Sequence, residues 1–141
     1  MFIKIKKLDP NAIIPSYAKD GDAGMDLTAL TLTVDPNGFY TEYGTGLAIE
    51  IPEGHAGFIF PRSSASKTSQ IQANCVGVID SGYRGEIKVR LKDIGGTQNT
   101  YQIGDRIAQI IIMSVPQIMF EETDKLSDTV RGDGGFGSTG V

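Results

Sequence analysis

An all-β fold of the sandwich or jelly-roll class is predicted by three features of the chain. Glycine and scattered proline punctuate it throughout, the apolar residues fall in short runs between them, and only one segment offers room for a helical turn. With 18 glycines and 6 prolines in 141 residues, no stretch is long enough for an extended helix, and the apolar content of 40% suffices for one core rather than two.

The elements follow in order. Strands are predicted over Phe2–Lys6, Leu27–Val34, Gly46–Ile51, Ala56–Phe60 and Cys75–Ile79, each bounded by Gly, Pro, Asp or Asn. The clearest is Glu86–Lys92, where strict alternation puts Ile87, Val89 and Leu91 on one face and charges on the other, wet face. In Ile107–Val115 the run Ile107–Met113 is apolar on both faces, as for a strand buried between layers or against another subunit. The single helical turn is placed at Ser63–Thr68, after Pro61, with Ser63 or Ser64 as its cap. Residues 1–130 form one β domain. The stretch Arg131–Val141, RGDGGFGSTGV, is too rich in glycine for strand or helix and reads as a mobile tail.

Composition narrows the function. A net charge of −4 and a pI near 4.9 give no general attraction to a polyanion, so nucleic acid is not an expected partner and any phosphate must be gripped locally. Cys75 is the one cysteine and is read as structural; the chain has no disulfide framework, which suits a reducing, intracellular setting. No segment has the length of a membrane span, and a soluble protein is expected. His55, the one histidine, reads as a surface turn residue and leaves zinc without a ligand set.

Five segments carry small residues, single charges and hydroxyls that a pure core would not need: Ala23–Leu27 around Asp26, Pro61–Ser64, Asn74–Gly85, Gly104–Gln109 and Arg131–Gly140. Taken alone, each has a plain structural reading. Asp80 in Asp-Ser-Gly is good turn chemistry, Asp26 can be a strand-edge carboxylate, Tyr83 a cross-strand aromatic and Asn74 a strand end. In the tail, Gly132, Gly134 and Gly137 satisfy a G-x-G-x-x-G spacing, but no strand precedes them and no helix can follow, so a dinucleotide fold is excluded.

Together and in this order, the segments resemble the five motifs of the homotrimeric all-β dUTPase family, from about Ala23 to Gly140. The resemblance implies a jelly-roll-like β-clip barrel or sandwich with one short helix and a flexible glycine-rich tail. It also implies hydrolysis of dUTP to dUMP and pyrophosphate by water attacking the α-phosphorus, with Asp80 as general base and Gln109 beside the α-phosphate and the water. Asn74, Gly77, Val78, Ile79 and Asp80 would form the hairpin that reads uracil, and Tyr83 would pack under the deoxyribose and leave no space for a 2′-hydroxyl.

Arg62, Ser63 and Ser64 match the phosphate-binding motif. Asp26 would reach a Mg2+ ion through water, the ion being held mainly by the three phosphates. In the tail, Arg131 matches a γ-phosphate contact, Phe136 the ring stacked over uracil with Gly137 beside it, and Ser138 and Thr139 further phosphate contacts. Lys88 is counted among the substrate-binding residues; it and Arg84 flank the hairpin, where either can face phosphate or solvent. Asp105 and Arg106 read as charge pairs that hold the site. Each site is then shared among three subunits, with no nucleic acid or membrane involved.

One departure concerns Lys67–Ala73, which lacks the glycine many members carry there. A dCTP deaminase of the same fold would need a catalytic glutamate and a different hairpin. A non-catalytic dUTP-binding regulator has no need of all five motifs, and a coat protein has no use for a ligand-gripping tail.

Overall fold

The computed structural model describes residues 1–95 and 100–135. Among the described residues the chain forms ten strands: β1 (Lys4–Lys7), β2 (Met25–Thr28), β3 (Thr31–Val34), β4 (Thr41–Gly44), β5 (Leu47–Glu50), β6 (His55–Phe60), β7 (Gln70–Gln72), β8 (Gly77–Ile79), β9 (Lys88–Asp93) and β10 (Arg106–Ser114). All pair antiparallel, in sheets of order β2-β10-β6-β8 and β3-β4-β9-β7, with β1 and β5 as a separate pair. The all-β expectation holds.

The core lies between these layers. Leu27, Ile59, Ile107, Ala108 and Ile110 from the first sheet form one cluster with Tyr43, Val89 and Leu91 from the second and Ile49 from the third. On β9 the alternation reads as expected, with Val89 and Leu91 buried and Lys88, Arg90 and Lys92 exposed; Ile87, just before it, is buried in the same cluster.

The predicted strand Leu27–Val34 is two strands in two sheets. The Ala29 amide donates to Asp105 O (2.9 Å) and the next amide, Leu30, donates to Gly44 O (2.8 Å), so successive residues are claimed by different neighbours and the chain changes sheet there. Two short strands carry no recognisable strand pattern. In β4, TEYG, Tyr43 is the one large apolar residue. In β7, QIQ, the usual pattern is inverted: Gln70 and Gln72 are buried and Ile71 faces solvent.

The helical turn is a 3₁₀ segment, Ser63–Lys67, whose cap position is Arg62 with no side-chain capping bond, so neither serine caps it. Cys75 is exposed rather than structural in the core. On β10, Ile107, Ala108 and Ile110 are buried, Ile111 and Ile112 half-buried and Met113 exposed, so one chain covers only part of its double apolar face. From residue 116 to 133 every residue is exposed, including Ile118, Met119, Phe120, Leu126 and Val130.

Candidate functional site

Most of the sequence-predicted residues that are described line one of two separate depressions; Ser64, Gly77 and Arg131 line neither. The first, about 540 Å3, is lined by Asn74, Val78, Ile79, Asp80, Tyr83 and Lys88 together with Tyr40, Glu42, Ala73, Glu86 and Arg90. It is built on edge strand β8 and the turn that follows. Asp80 O accepts from the Tyr83 amide (3.1 Å), closing that turn, and Arg84 braces it by donating from Nη1 to Ser81 O (2.6 Å) and Tyr83 O (2.8 Å). Arg84 therefore serves the turn. The Asp80 carboxylate is exposed, and the Tyr83 hydroxyl donates to Glu86 O (3.0 Å).

Beneath the hairpin, buried Gln72 donates from Nε2 to Ile59 O (2.9 Å) and Asn74 O (3.0 Å), tying the start of the hairpin to β6. Gly77 is buried beside it: a Cβ there would sit 3.3 Å from Asn74 Nδ2 and 3.3 Å from Ile59 Cβ, so close strand packing explains the glycine. The outer wall is charged. Lys88 Nζ and Arg90 Nε both donate to the Glu42 carboxylate at 2.8 Å, and the Arg90 guanidinium lies 4.4 Å from the centre of the Tyr40 ring. These bonds hold Glu42 below its ordinary pKa, Lys88 contributing most, and in turn raise Lys88.

The second depression, about 430 Å3, is lined by Asp26, Arg62, Ser63, Arg106 and Gln109, with Asp22 and Gly24 among its other residues. Strand register assembles it. Gln109 on β10 faces Asp26 of β2 on one side and Phe60 of β6 on the other, and Arg62 follows two residues beyond Phe60. Arg62 grips Asp26 with two donors, Nε at 2.6 Å and Nη2 at 3.3 Å, and Arg106 Nη1 donates to the same carboxylate at 3.1 Å. Two guanidiniums on one carboxylate concentrate cationic donors there, although Asp22 on the same lining balances the formal charge.

Ser64 Oγ accepts from Arg62 Nη1 at 3.0 Å, and Gln109 Nε2 donates to Pro61 O at 3.0 Å. A Cβ at Gly24 would lie 3.1 Å from the Gln109 carboxamide carbon, so Gly24 makes room for that side chain. Arg106 pairs with Asp26, whereas Asp105 accepts from the Gln102 amide (2.7 Å) in a local turn.

The two depressions share no lining residue. They sit toward opposite edges of one four-stranded sheet, whose edge strands are about 14 Å apart at roughly 4.8 Å per strand spacing. Arg131 is exposed and donates from Nε to Gly134 O at 3.1 Å. Phe136, Gly137, Ser138 and Thr139 lie outside the described residues. The sequence gives little warning of Glu42, Arg90, Gln72 or the Asp26–Arg106 pair, because each acts through a partner distant in the chain or on an unread strand.

Among the described residues no three His, Cys, Asp or Glu side chains form a ligand group, and Asp26 is already shared by two arginines. The described residues therefore offer no cage of protein ligands, and fit better an ion whose ligands come chiefly from phosphates and water.

The dUTPase family model matches residues 10–140. The deoxyuridine 5′-triphosphate nucleotidohydrolase of Thermobifida fusca is 46% identical over 140 residues, covering 98% of this chain and 78% of its own. The enzyme of that name from Crocosphaera subtropica is 45% identical over 142 residues, covering 100% of both chains. A variant dUTPase of Staphylococcus bacteriophage 80alpha, solved with dUpNHpp, superposes with a TM-score of 0.86 at 26% identity and covers 99% of each chain. A mutant dUTPase of phage phi11 of S. aureus, described as coordinating a structural Mg(II) ion, shares the fold with a TM-score of 0.74 at 22% identity, over 89% of this chain and 98% of its own. With the carboxylate turn and the arginine-rich depression placed on this backbone, and family likeness running along nearly its whole length, the chain belongs to the dUTPase family.

Proposed function

We propose that the protein is a dUTP diphosphatase, hydrolysing dUTP to dUMP and pyrophosphate, which supplies dUMP for dTMP synthesis and keeps uracil out of DNA. The observation that carries this is the pairing, in a dUTPase-family chain, of an exposed carboxylate on a tyrosine-bearing turn with a second depression built around two arginines.

In this reading Asn74 and the backbone of Gly77, Val78 and Ile79 hold the uracil edge, and Tyr83 excludes a 2′-hydroxyl. Lys88, fixed by Glu42, contributes positive charge to the wall of the same depression. Asp80 accepts a proton from the attacking water as its oxygen bonds to the α-phosphorus, and the bond from that phosphorus to the bridging oxygen breaks to release pyrophosphate. Arg62, Ser63 and Ser64 bind the phosphates, and Gln109 orients the water or the α-phosphate beside them. Mg2+ would be held by the triphosphate with Asp26 reaching it through water, and would offset phosphate charge.

The separation of the two depressions supports a homotrimer in which one subunit supplies the uracil turn and another the arginines. Val115 is the last residue before the fully exposed run, and the unfilled apolar face of β10 suits contact with a second copy. Residues 131–141, with Arg131, Phe136, Gly137, Ser138 and Thr139, would close over the site as a lid on a body of residues 1–130. No described helix is long and apolar enough to cross a membrane, and an intracellular enzyme is our reading because a nucleoside triphosphate substrate is an intracellular metabolite.

Pyrophosphate release from dUTP, dCTP, dTTP and UTP with magnesium tests the reading. Turnover of dUTP in large excess over the other three is expected. Comparable turnover of dCTP, or none of dUTP, would sink it.

A further inference from the structure

We propose that Gly85 sets the sugar specificity of the site by leaving open the space in which the Tyr83 ring lies. The inference rests on the reading of Tyr83 as the residue that excludes the 2′-hydroxyl.

The turn folds Tyr83 back over its own chain. Its amide is bound to Asp80 O (3.1 Å) and its hydroxyl to Glu86 O (3.0 Å), so the ring spans Gly85 and is fixed at both ends. A Cβ at Gly85 would sit 2.5 Å from Tyr83 Cζ and 2.9 Å from Cε2, with the phenol oxygen closer still. Carbon atoms reach their attractive optimum only at about 3.5–4.0 Å, so a methyl group and the ring cannot both keep these places.

Backbone conformation does not explain the glycine. Gly85 is not among the residues with positive φ, so alanine meets no penalty there from the left-handed region. Gly82, in the same turn, has nothing within 4 Å of a built Cβ, so the crowding belongs to position 85.

Where the strain goes follows from exposure. Tyr83 is 44% exposed, so its ring can swing aside without disturbing the core. A methyl at 85 therefore moves the ring rather than unfolding the turn, and the bond to Glu86 O is lost. Swung outward, the ring frees space for a 2′-hydroxyl; pushed inward, it crowds the deoxyribose. Either displacement erodes the advantage of dUTP over UTP, which makes Gly85 a positioning residue for the sugar.

The test is a double-mutant cycle on the full chain, comparing wild type, Gly85→Ala, Tyr83→Ala and the double variant. The quantity read is the ratio of kcat/KM for dUTP to that for UTP, with melting temperature and assembly state as folding controls. Gly85→Ala is expected to lower the ratio at least tenfold with little change in melting temperature. On the Tyr83→Ala background the same substitution should change it less than twofold, because no ring remains to displace. A ratio within twofold of wild type in Gly85→Ala, with Tyr83→Ala lowering it, overturns the role of Gly85 and leaves that of Tyr83 intact. An unchanged ratio in Tyr83→Ala overturns the reading of Tyr83 and the inference with it. If Gly85→Ala does not fold, Tyr83→Phe, which keeps the ring and loses only its anchor to Glu86 O, decides the matter through the same ratio: a value within twofold of wild type overturns the proposal.

Discussion

Asp80 stands at the end of edge strand β8, exposed and on a turn held by backbone and Arg84 bonds, so its carboxylate is placed without being consumed by a partner of the turn. Asp26 is the opposite case, its oxygens engaged by Arg62 and Arg106. The two aspartates are thereby suited to different work, proton acceptance at one and charge organisation at the other. Replacing Asp80 by Asn keeps shape and removes basicity. Turnover of dUTP should fall by roughly a hundred- to ten-thousandfold while a non-hydrolysable dUTP analogue binds within a few-fold of wild type, as titration calorimetry would read. Persistent turnover would remove Asp80 as the base. At this scale the motifs made the aspartates, the tyrosine and the arginines legible, since hydroxyls and charges flanked by glycine stand out from a core pattern. Partnerships were not legible: Glu42 meets Lys88 across 46 residues, and the crowding of Tyr83 on Gly85 exists only once the turn has folded.

Within the second sheet, β4 and β9 carry a charge ladder, Glu42 between Lys88 and Arg90, on the wall of the hairpin depression. Because its partners hold the Glu42 carboxylate below its ordinary value, the stability it contributes is complete above about pH 4.3 and fades as pH falls through the lower folded value. Lys88 is raised, so its share is complete below about pH 10.4 and fades only as pH rises through the higher folded value. Glu42→Gln should therefore lower the melting temperature by a few degrees at pH 7 and narrow its gap to wild type toward pH 3. An undiminished gap at pH 3 would mean that the side chain acts through packing instead. Gln72 on β7 is the second brace: with its amide gone, Ile59 O loses a buried donor and the hairpin its tie to β6. Gln72→Ala should cost about 1–3 kcal/mol in denaturant unfolding and raise KM for dUTP; unchanged KM would separate the brace from substrate binding. Both elements were hard to read for physical reasons. β7 turns its glutamines inward and its isoleucine outward, and β4 has one apolar side chain, whereas β9 alternates as an exposed-face strand should. The break in Leu27–Val34 is set by neighbours, Asp105 O and Gly44 O, that local pattern does not encode.

Across the whole molecule, the residues that would act on one nucleotide lie toward opposite edges of a sheet, and an exposed apolar run follows β10. A lone chain cannot bring Asp80 to Arg62 without dismantling the β6–β8 pair, because Asp80 follows Ile79, the partner of Gly57, whereas Arg62 lies past the opposite end of β6; a neighbouring copy can present its arginines to the first chain's turn. Heterologous contact of this kind closes into a ring when the rotation fits, and a trimer gives three equivalent sites. Subunit mixing makes the idea quantitative. Asp80→Asn and Arg62→Ala should each be nearly inactive alone. Refolded together in equal amounts, they form sites that draw the turn from one chain and the arginine from another, and random assembly leaves about one site in four with both groups intact. Recovery of about a quarter of wild-type turnover is therefore expected, with sedimentation reporting a trimer. Sites built within one chain would regain nothing on mixing, since every chain carries a lesion, and a fully active monomer would remove the need for a neighbour altogether. The same mixture separates shared chemistry from mere assembly: two Asp80→Asn preparations with different affinity tags should co-assemble as readily yet stay inactive, because no subunit in them carries an intact turn.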